Sequence, residues 1–227
     1  GTLYGASYSA GYNTFNSGSW TFISGTETTI RASGGAVLLL ANVDGQSYSG
    51  DSSAAFTIYR NDTQLSPVNG FASTTHHSGW NGMHPMFWID QPPAGVYTYR
   101  LAIRRLGGNG YGVEEHCPSV LYAIDLSGRN YRFAYSTGLD TISSTSWTAI
   151  SGTDISIRTN GKPVLLLGNV DSQASGGNSW GTFTIFRDGS TNLAPTSYGL
   201  AISEHHSGWD RMNSMMWIDT PSAGVHT

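Results

Sequence analysis

The strongest constraint on the fold of this 227-residue chain is an internal repeat. Residues 17–46 and 144–173 align without gaps, and 19 of the 30 aligned positions are identical. Similarity continues beyond these segments at spacings of 127 to 129 residues. A copy of about 127 residues far exceeds the 20–50 residues typical of solenoid repeats. The repeat therefore predicts two domains of one fold, a first copy at residues 1–127 and a second copy at residues 128–227.

Short apolar segments separated by turn-forming residues predict an all-β fold for each copy. Val37–Leu40 is an unbroken apolar run, typical of a central strand covered on both faces. Seven or more strands in about 127 residues indicate a β-sandwich or a jelly roll. The predicted strands are 19–24, 27–32, 37–43, 54–60, 86–90, 97–104 and 119–126 in the first copy, and 146–151, 154–159, 164–170, 181–187 and 215–219 in the second.

The second copy is incomplete, because nothing in it aligns with Tyr99–Ser127 of the first. That segment contains two predicted strands. A sandwich without them would have unpaired edges and an open core. We therefore expect that the polypeptide continues past Thr227 or that another chain supplies the missing strands. No Pro- or Ser-rich linker separates the two copies, which predicts closely stacked domains.

Charge and composition argue against several classes of partner. The chain has 11 Lys and Arg against 15 Asp and Glu, a net charge of −4, and no basic run. Nucleic-acid binding depends largely on Lys and Arg contacts with phosphate, so we expect no nucleic-acid partner. No apolar run approaches the roughly 18 residues of a transmembrane helix, so we expect no membrane insertion. The single cysteine, Cys117, excludes an internal disulfide.

The two copies share the order of their strand and turn motifs. In the first copy VLLLANVDGQ is followed by FTIYRNDTQLSP, MFWIDQPPAGVYTYRLAIR and VLYAIDL. The second copy repeats the first three as VLLLGNVDSQ, FTIFRDGSTNLAP and MMWIDTPSAGVHT. This order resembles the jelly-roll domains of bacteriophage virion proteins, which are similar in fold to the complement globular-head and tumour-necrosis-factor type. The resemblance implies two tandem jelly-roll-like β-sandwiches that assemble as a homotrimer.

The resemblance also implies a function and a location. It predicts a structural virion protein, such as a capsid decoration protein, a head fibre or a tail appendage. Such a protein lies on the surface of the extracellular particle and contacts other virion proteins. We expect no enzyme activity and no cofactor, because the sequence has no Gly-x-Ser-x-Gly, no His-Glu-x-x-His and no phosphate-binding loop.

A His-His-Ser-Gly-Trp loop occurs in both copies and is the main candidate for ligand binding. A tryptophan ring can stack on a sugar ring while a neighbouring amide or carboxylate binds its hydroxyl groups. The alternative function is therefore a carbohydrate-binding, lectin-like module that recognises a host-surface glycan. The simpler interpretation is a polar loop packed against its own tryptophan. The candidate residues are His76, His77, Trp80, Asn81, His205, His206, Trp209 and Asp210.

Adjacent histidines can also bind a metal ion. A third histidine, His84, lies close to the first loop, but its counterpart in the second copy is Asn213. A three-histidine site is therefore not repeated, and we predict no metal site.

Two further groups of polar residues have structural and chemical interpretations. Residues 114–117, Glu-Glu-His-Cys, can provide metal ligands or a thiolate nucleophile, but they lie between predicted strands and favour a loop. Asp44 and Asp171, in the repeated Asn-Val-Asp motif, are predicted at strand ends, where Asp commonly caps a turn. Paired carboxylates would otherwise allow glycoside cleavage, which is the weakest alternative.

Overall fold

The fold is taken from a computed structural model that describes most of the chain. Three candidate ligand-binding residues, Trp80, His206 and Trp209, lie outside the described residues, and only the backbone of His205 is described. The described residues are 3–48, 50–66, 69–77, 81–114, 116–174, 176–205 and 210–227.

Every regular element in these ranges is a β-strand, which confirms the predicted all-β class. No helix long enough to cross a membrane occurs in this part of the chain. In chain order, the strands are β1 (Tyr4–Ser9), β2 (Asn13–Phe15), β3 (Thr21–Phe22), β4 (Thr28–Ser33), β5 (Val37–Ser47), β6 (Ser52–Arg60), β7 (Thr63–Gln64), β8 (Ala72–His76), β9 (Asn81–Asp90), β10 (Ala94–Gly107), β11 (Tyr111–Val113), β12 (Ser119–Asp125), β13 (Ile157–Asn160), β14 (Val164–Gln173), β15 (Ser179–Phe183), β16 (Phe186–Arg187), β17 (Thr191–Asn192), β18 (Ala201–His205), β19 (Asp210–Asp219) and β20 (Ala223–His226).

Residues of the first copy form two antiparallel six-stranded sheets, an arrangement consistent with a β-sandwich. One sheet has the order β1-β12-β5-β11-β2, and β9 pairs with the other edge of β5. The second sheet has the order β3-β10-β6-β7, with β4 also on β10 and β8 also on β6. The long strands β5 and β10 are therefore central, and each connects several shorter strands.

The hydrophobic core lies between these two sheets. Val37 and Leu39 of β5 are completely buried, as are Leu101 and Ile103 of β10. Leu38, by contrast, is only half-buried on the outer face of β5. The prediction that the run at 37–40 is covered on both faces is therefore wrong, because only one face of the sheet packs against another layer.

The four strand pairs of the second copy have the same register as their aligned counterparts in the first. The pair β14–β19 corresponds to β5–β9, β13–β20 to β4–β10, β15–β18 to β6–β8, and β16–β17 to β6–β7. For example, Val164 lies opposite Asp219 as Val37 lies opposite Asp90. In the described residues these pairs remain two-stranded and do not join into a larger sheet.

Residues 131–149 form no strand, although they align with β1, β2 and β3. The predicted strand at 146–151 is therefore wrong. In the first copy β1 pairs with β12, β2 with β11 and β3 with β10, and the paired residues all lie in the segment absent from the second copy. Because a strand needs a hydrogen-bonded neighbour, the local sequence alone does not produce one here.

Four tryptophans of the repeated strand segments are only partly buried. Trp20, Trp88 and Trp217 are half-buried, and Trp147 is 41% exposed. The guanidinium group of Arg104 on β10 lies 4.8 Å from the centre of the Trp20 ring and covers it. Trp147 has no counterpart of this arginine, which accounts for its greater exposure.

Candidate functional site

The end of β8 and the start of β9 line a cavity of about 230 Å³, which we call the junction cavity because both copies contribute to its wall. Strand β19 of the second copy packs against β8 and β9 of the first at this place. His76 and Asn81, two of the predicted site residues, line the cavity. The full lining consists of Thr74, His76, Asn81, Gly82, Met83, His84, Arg211 and Met212.

His84 forms the inner wall of the junction cavity. It is on β9, is only 5% exposed, and stacks on Phe56 with 4.9 Å between the ring centres. The ring of His76 lies 5.2 Å from the His84 ring in an edge-to-face arrangement. The hydroxyl oxygen of Tyr111 lies 3.3 Å from Nε2 of His84. An imidazole, a phenol and a second imidazole therefore meet in the interior of the sandwich.

Burial determines the protonation of this cluster. It lowers the pKa of His84 to about 3, and positive charge on His76 and Arg211 adds to the decrease. Burial also raises the pKa of Tyr111, whose hydroxyl accepts a hydrogen bond from Thr74. At neutral pH the His84 ring is therefore uncharged and the Tyr111 hydroxyl is protonated, and the tautomer of the ring sets which of the two donates in the contact at Nε2.

Gly45 on β5 provides the space for these rings. A Cβ atom at Gly45 would lie 2.8 Å from the ring of Tyr111 and 3.1 Å from the ring of His84. In the second copy the aligned residues are Ser172 and Asn213, and Asn213 donates a 2.7 Å hydrogen bond to the Ser172 hydroxyl. The two positions therefore differ together between the copies, glycine with histidine in one and serine with asparagine in the other.

Glu114, His116 and Cys117 lie between β11 and β12, and His116 contacts the rim of the cavity. The carboxylate of Asp44 accepts hydrogen bonds from the backbone N–H groups of His116 and Cys117, at 2.9 and 3.0 Å. The ring of His116 in turn contacts the Asn81 amide at 2.9 Å. Asp44 therefore anchors a loop from within β5, and Asp171 likewise lies within β14, so their predicted position at strand ends is wrong.

Two further predicted site residues, His77 and Asp210, are described but do not line the cavity. His77 contacts the carboxylate of Asp51, away from the cavity. Asp210 begins β19 opposite Gln173 and directly precedes Arg211, which lines the cavity. No group of three or more His, Cys, Asp or Glu side chains is arranged for metal binding in the described ranges.

The sequence interpretation missed the buried half of the site. His84 precedes the core residue Met86 by two positions, and alternation along a strand places both on one face. That period would have predicted His84 as an interior residue rather than a loop residue. Tyr111 and Arg211 come from distant parts of the chain, and no local pattern connects them to the loop.

The fold and the cavity define the class of protein: an all-β protein with a polar cavity between the two copies. Comparisons with protein-family models, with curated proteins and with solved structures each find no match.

Proposed function

We propose that the protein is a structural component of a bacteriophage virion, a capsid decoration protein, head fibre or tail appendage. In this proposal the two copies are tandem jelly-roll-like β-sandwich domains, and the protein forms a homotrimer on the particle surface. It contacts other virion proteins and has no enzymatic role. The order of the strand and turn motifs supports this proposal, and the outer face described next is its main support.

The outer face of the β1-β12-β5-β9 sheet and the aligned face of the β14–β19 pair in the second copy carry exposed apolar and aromatic side chains. Tyr8 of β1 is 72% exposed, and Tyr122 of β12, on the same face, is 45% exposed. In the second copy, Met216 and Ile218 of β19 are 68% and 62% exposed, and Ile218 lies opposite Leu165 of β14. Apolar patches of this kind mark interaction surfaces in soluble proteins. Assembly around a symmetry axis covers such a face on every subunit.

Charges on this face are expected to separate the subunits. Burying a Met or Ile side chain contributes about 1.5–3 kcal/mol, so the M216D/I218D variant should weaken association at least about 100-fold. The matched control is V225D, because Val225 is also apolar and 57% exposed but lies on β20, outside this face. Native mass spectrometry should give multiples of three for the parent and V225D, and monomers for M216D/I218D. A parent that stays monomeric at high concentration contradicts the proposal.

The junction cavity favours a second function, binding of a host-surface glycan. Its wall provides hydroxyl, amide, imidazole and guanidinium groups through Thr74, Asn81, His76 and Arg211. Such groups bind sugar hydroxyls or a sugar carboxylate. A volume of about 230 Å³ is below the range of cavities for drug-sized ligands and suits one sugar unit.

Removing one polar wall group should weaken glycan binding about tenfold, the equivalent of one hydrogen bond. We expect this for His76→Ala and Asn81→Ala in calorimetric titrations with neutral and acidic monosaccharides. His226→Ala is the control, because His226 lies in β20 and contacts Asp188 instead of the cavity. If no sugar binds the parent, or if all three variants bind alike, the cavity is not a glycan site.

A further inference from the structure

Arg211 brings a permanent positive charge to the wall of the junction cavity. It lies at the start of β19, the strand of the second copy that packs against β8 and β9 of the first. No Asp or Glu belongs to the described wall. In the described part of the chain, Arg211 also forms no ion pair with a carboxylate. The cavity therefore has a guanidinium group that no described carboxylate neutralises.

The acidic residues of the neighbouring positions lie on the other face of the β14–β19 pair. Alternation along β19 places the side chains of Asp210 and Arg211 on opposite faces. Gln173 lies opposite Asp210, and Asp171, two residues earlier in β14, shares its face. Burial and the charge of Asp210 raise the pKa of Asp171 to about 6, as expected for two carboxylates that face each other. Neither of these carboxylates lines the cavity.

The electrostatics of the inner wall are also positive. Beyond the effect of burial, positive charge on His76 and Arg211 lowers the pKa of His84, and no carboxylate of the described residues acts on this ring. The carboxylate of Asp44 acts on Tyr111 instead, and it accepts hydrogen bonds from the backbone after β11. A ligand with a negative charge is therefore favoured in this cavity over a neutral ligand of the same shape.

One aligned position of the repeat contributes two different residues to the cavity. Arg211 of the second copy aligns with Gly82 of the first, and both line the wall. A Cβ atom at Gly82 would lie 3.2 Å from Cε1 of His76 and 3.9 Å from Cε1 of His84. Glycine therefore leaves room beside the two imidazole rings, and arginine supplies the charge. Neither copy forms this wall alone.

We propose that the junction cavity selects a sugar that carries a carboxylate, and that Arg211 is the residue that determines this selection. The guanidinium group binds the carboxylate through two parallel N–H donors, a geometry that suits Arg better than Lys. The hydroxyl, imidazole and amide groups of the wall bind the sugar hydroxyls, and Met83 and Met212 contact the apolar face of the ring. The inference rests on the proposed glycan-binding function and names the class of glycan.

The test compares glucuronate with two uncharged sugars of similar shape, glucuronamide and glucose. Each is titrated at low salt into the full 227-residue chain with ¹³C-labelled methionine methyl groups. The methyl signals of Met83 and Met212 should shift, because both side chains line the cavity. The signal of Met216, which is 68% exposed and does not line the cavity, should stay unchanged. We expect glucuronate to bind at least about tenfold more tightly than glucuronamide.

The decisive variant is Arg211→Gln, which should bind glucuronate and glucuronamide alike. Its affinity for glucuronate should fall at least about tenfold, whereas its affinity for glucose should change little. Arg211→Lys keeps the charge but not the paired donors, so it should retain part of the preference. The matched control is Arg158→Gln, which removes the same charge from β13, outside the cavity. The control should keep the full preference of the parent.

Three results would overturn the proposal. Equal binding of glucuronate and glucuronamide by the parent, or an unchanged preference in Arg211→Gln, would leave a neutral glycan as the ligand of the cavity. Acetate that shifts Met83 and Met212 at the same concentrations as glucuronate would show a site for any small anion. No methyl shift with any of the three sugars would contradict the glycan-binding function itself, and this inference with it.

Discussion

Replacing Asp90 with Asn is expected to lower the free energy of unfolding by about 3 kcal/mol. Asp90 is 7% exposed at the end of β9, and its carboxylate oxygens accept from Arg60 Nη1 at 2.8 and 3.0 Å. Burial raises the pKa of Tyr99, and the negative charge of Asp90 and its hydrogen bond with the tyrosine raise it further. The Tyr99 hydroxyl therefore stays protonated and remains a donor. Asparagine removes the charge, and its NH₂ group would face the Arg60 guanidinium and the Tyr99 hydroxyl, which are both donors. The cost is at the lower end for a broken buried ion pair because the Arg60 side chain retains 24% exposure.

The matched control is Asp219→Asn, the same substitution at the aligned position of the second copy. Asp219 accepts from Arg187 at 2.8 and 2.9 Å, which is nearly the same geometry. It has no tyrosine counterpart, so water can replace the lost contact, and we expect a loss of about 1 kcal/mol. Urea unfolding followed by tryptophan fluorescence measures both variants. If both variants lose the same free energy of unfolding, burial beneath β10 does not determine how strongly the Arg–Asp pair stabilises the fold.

The comparison of the two copies shows which parts of the fold the sequence predicts. The strands around Val37 and Val164 are correctly predicted, because an apolar run between turns has the same structure wherever it can pair with a neighbour. Residues 146–151 are nearly identical to 19–24, yet they form no strand. The difference arises from the absent counterpart of β10, a long-range partner about which a local window of sequence contains no information.

The sequence suggests residues only for the exposed half of the candidate site. Of the residues that the repeated loop predicts for ligand binding, His76 and Asn81 line the cavity, and their binding of a ligand stays a prediction. The interior half is assembled from β5, β9 and β11, and its members have no common spacing in the sequence. Gly45 and His84 of the first copy are replaced together by Ser172 and Asn213 in the second. This paired change is the internal signal that positions 45 and 84 are in contact. It becomes interpretable only when the register of β5 with β9 is known.

Lowering the pH is expected to lower the free energy of unfolding, because the folded protein keeps the His84 ring neutral. The unfolded chain has a histidine pKa near 6.5, whereas burial lowers the pKa of His84 in the folded protein to about 3. Below pH 6.5 the unfolded state therefore binds a proton that the folded state does not. The contribution is fully present above pH 6.5 and falls by about 1.4 kcal/mol per pH unit until the pH approaches 3. By pH 4 the loss from this one residue should be about 3 kcal/mol.

The control variant is His84→Asn, because asparagine occupies the aligned position 213 in the second copy. The variant loses the stacking on Phe56 and should be less stable than the parent at pH 7. It has no titrating ring, however, so its stability should fall less steeply on acidification. The free-energy difference between parent and variant should therefore shrink from pH 6.5 towards pH 4, at about 1.4 kcal/mol per unit. Urea titrations at half-unit pH steps measure this slope. A difference that stays constant over that range would mean that His84 is hydrated and protonates in the folded protein, and that the ring is not the sealed inner wall of the cavity.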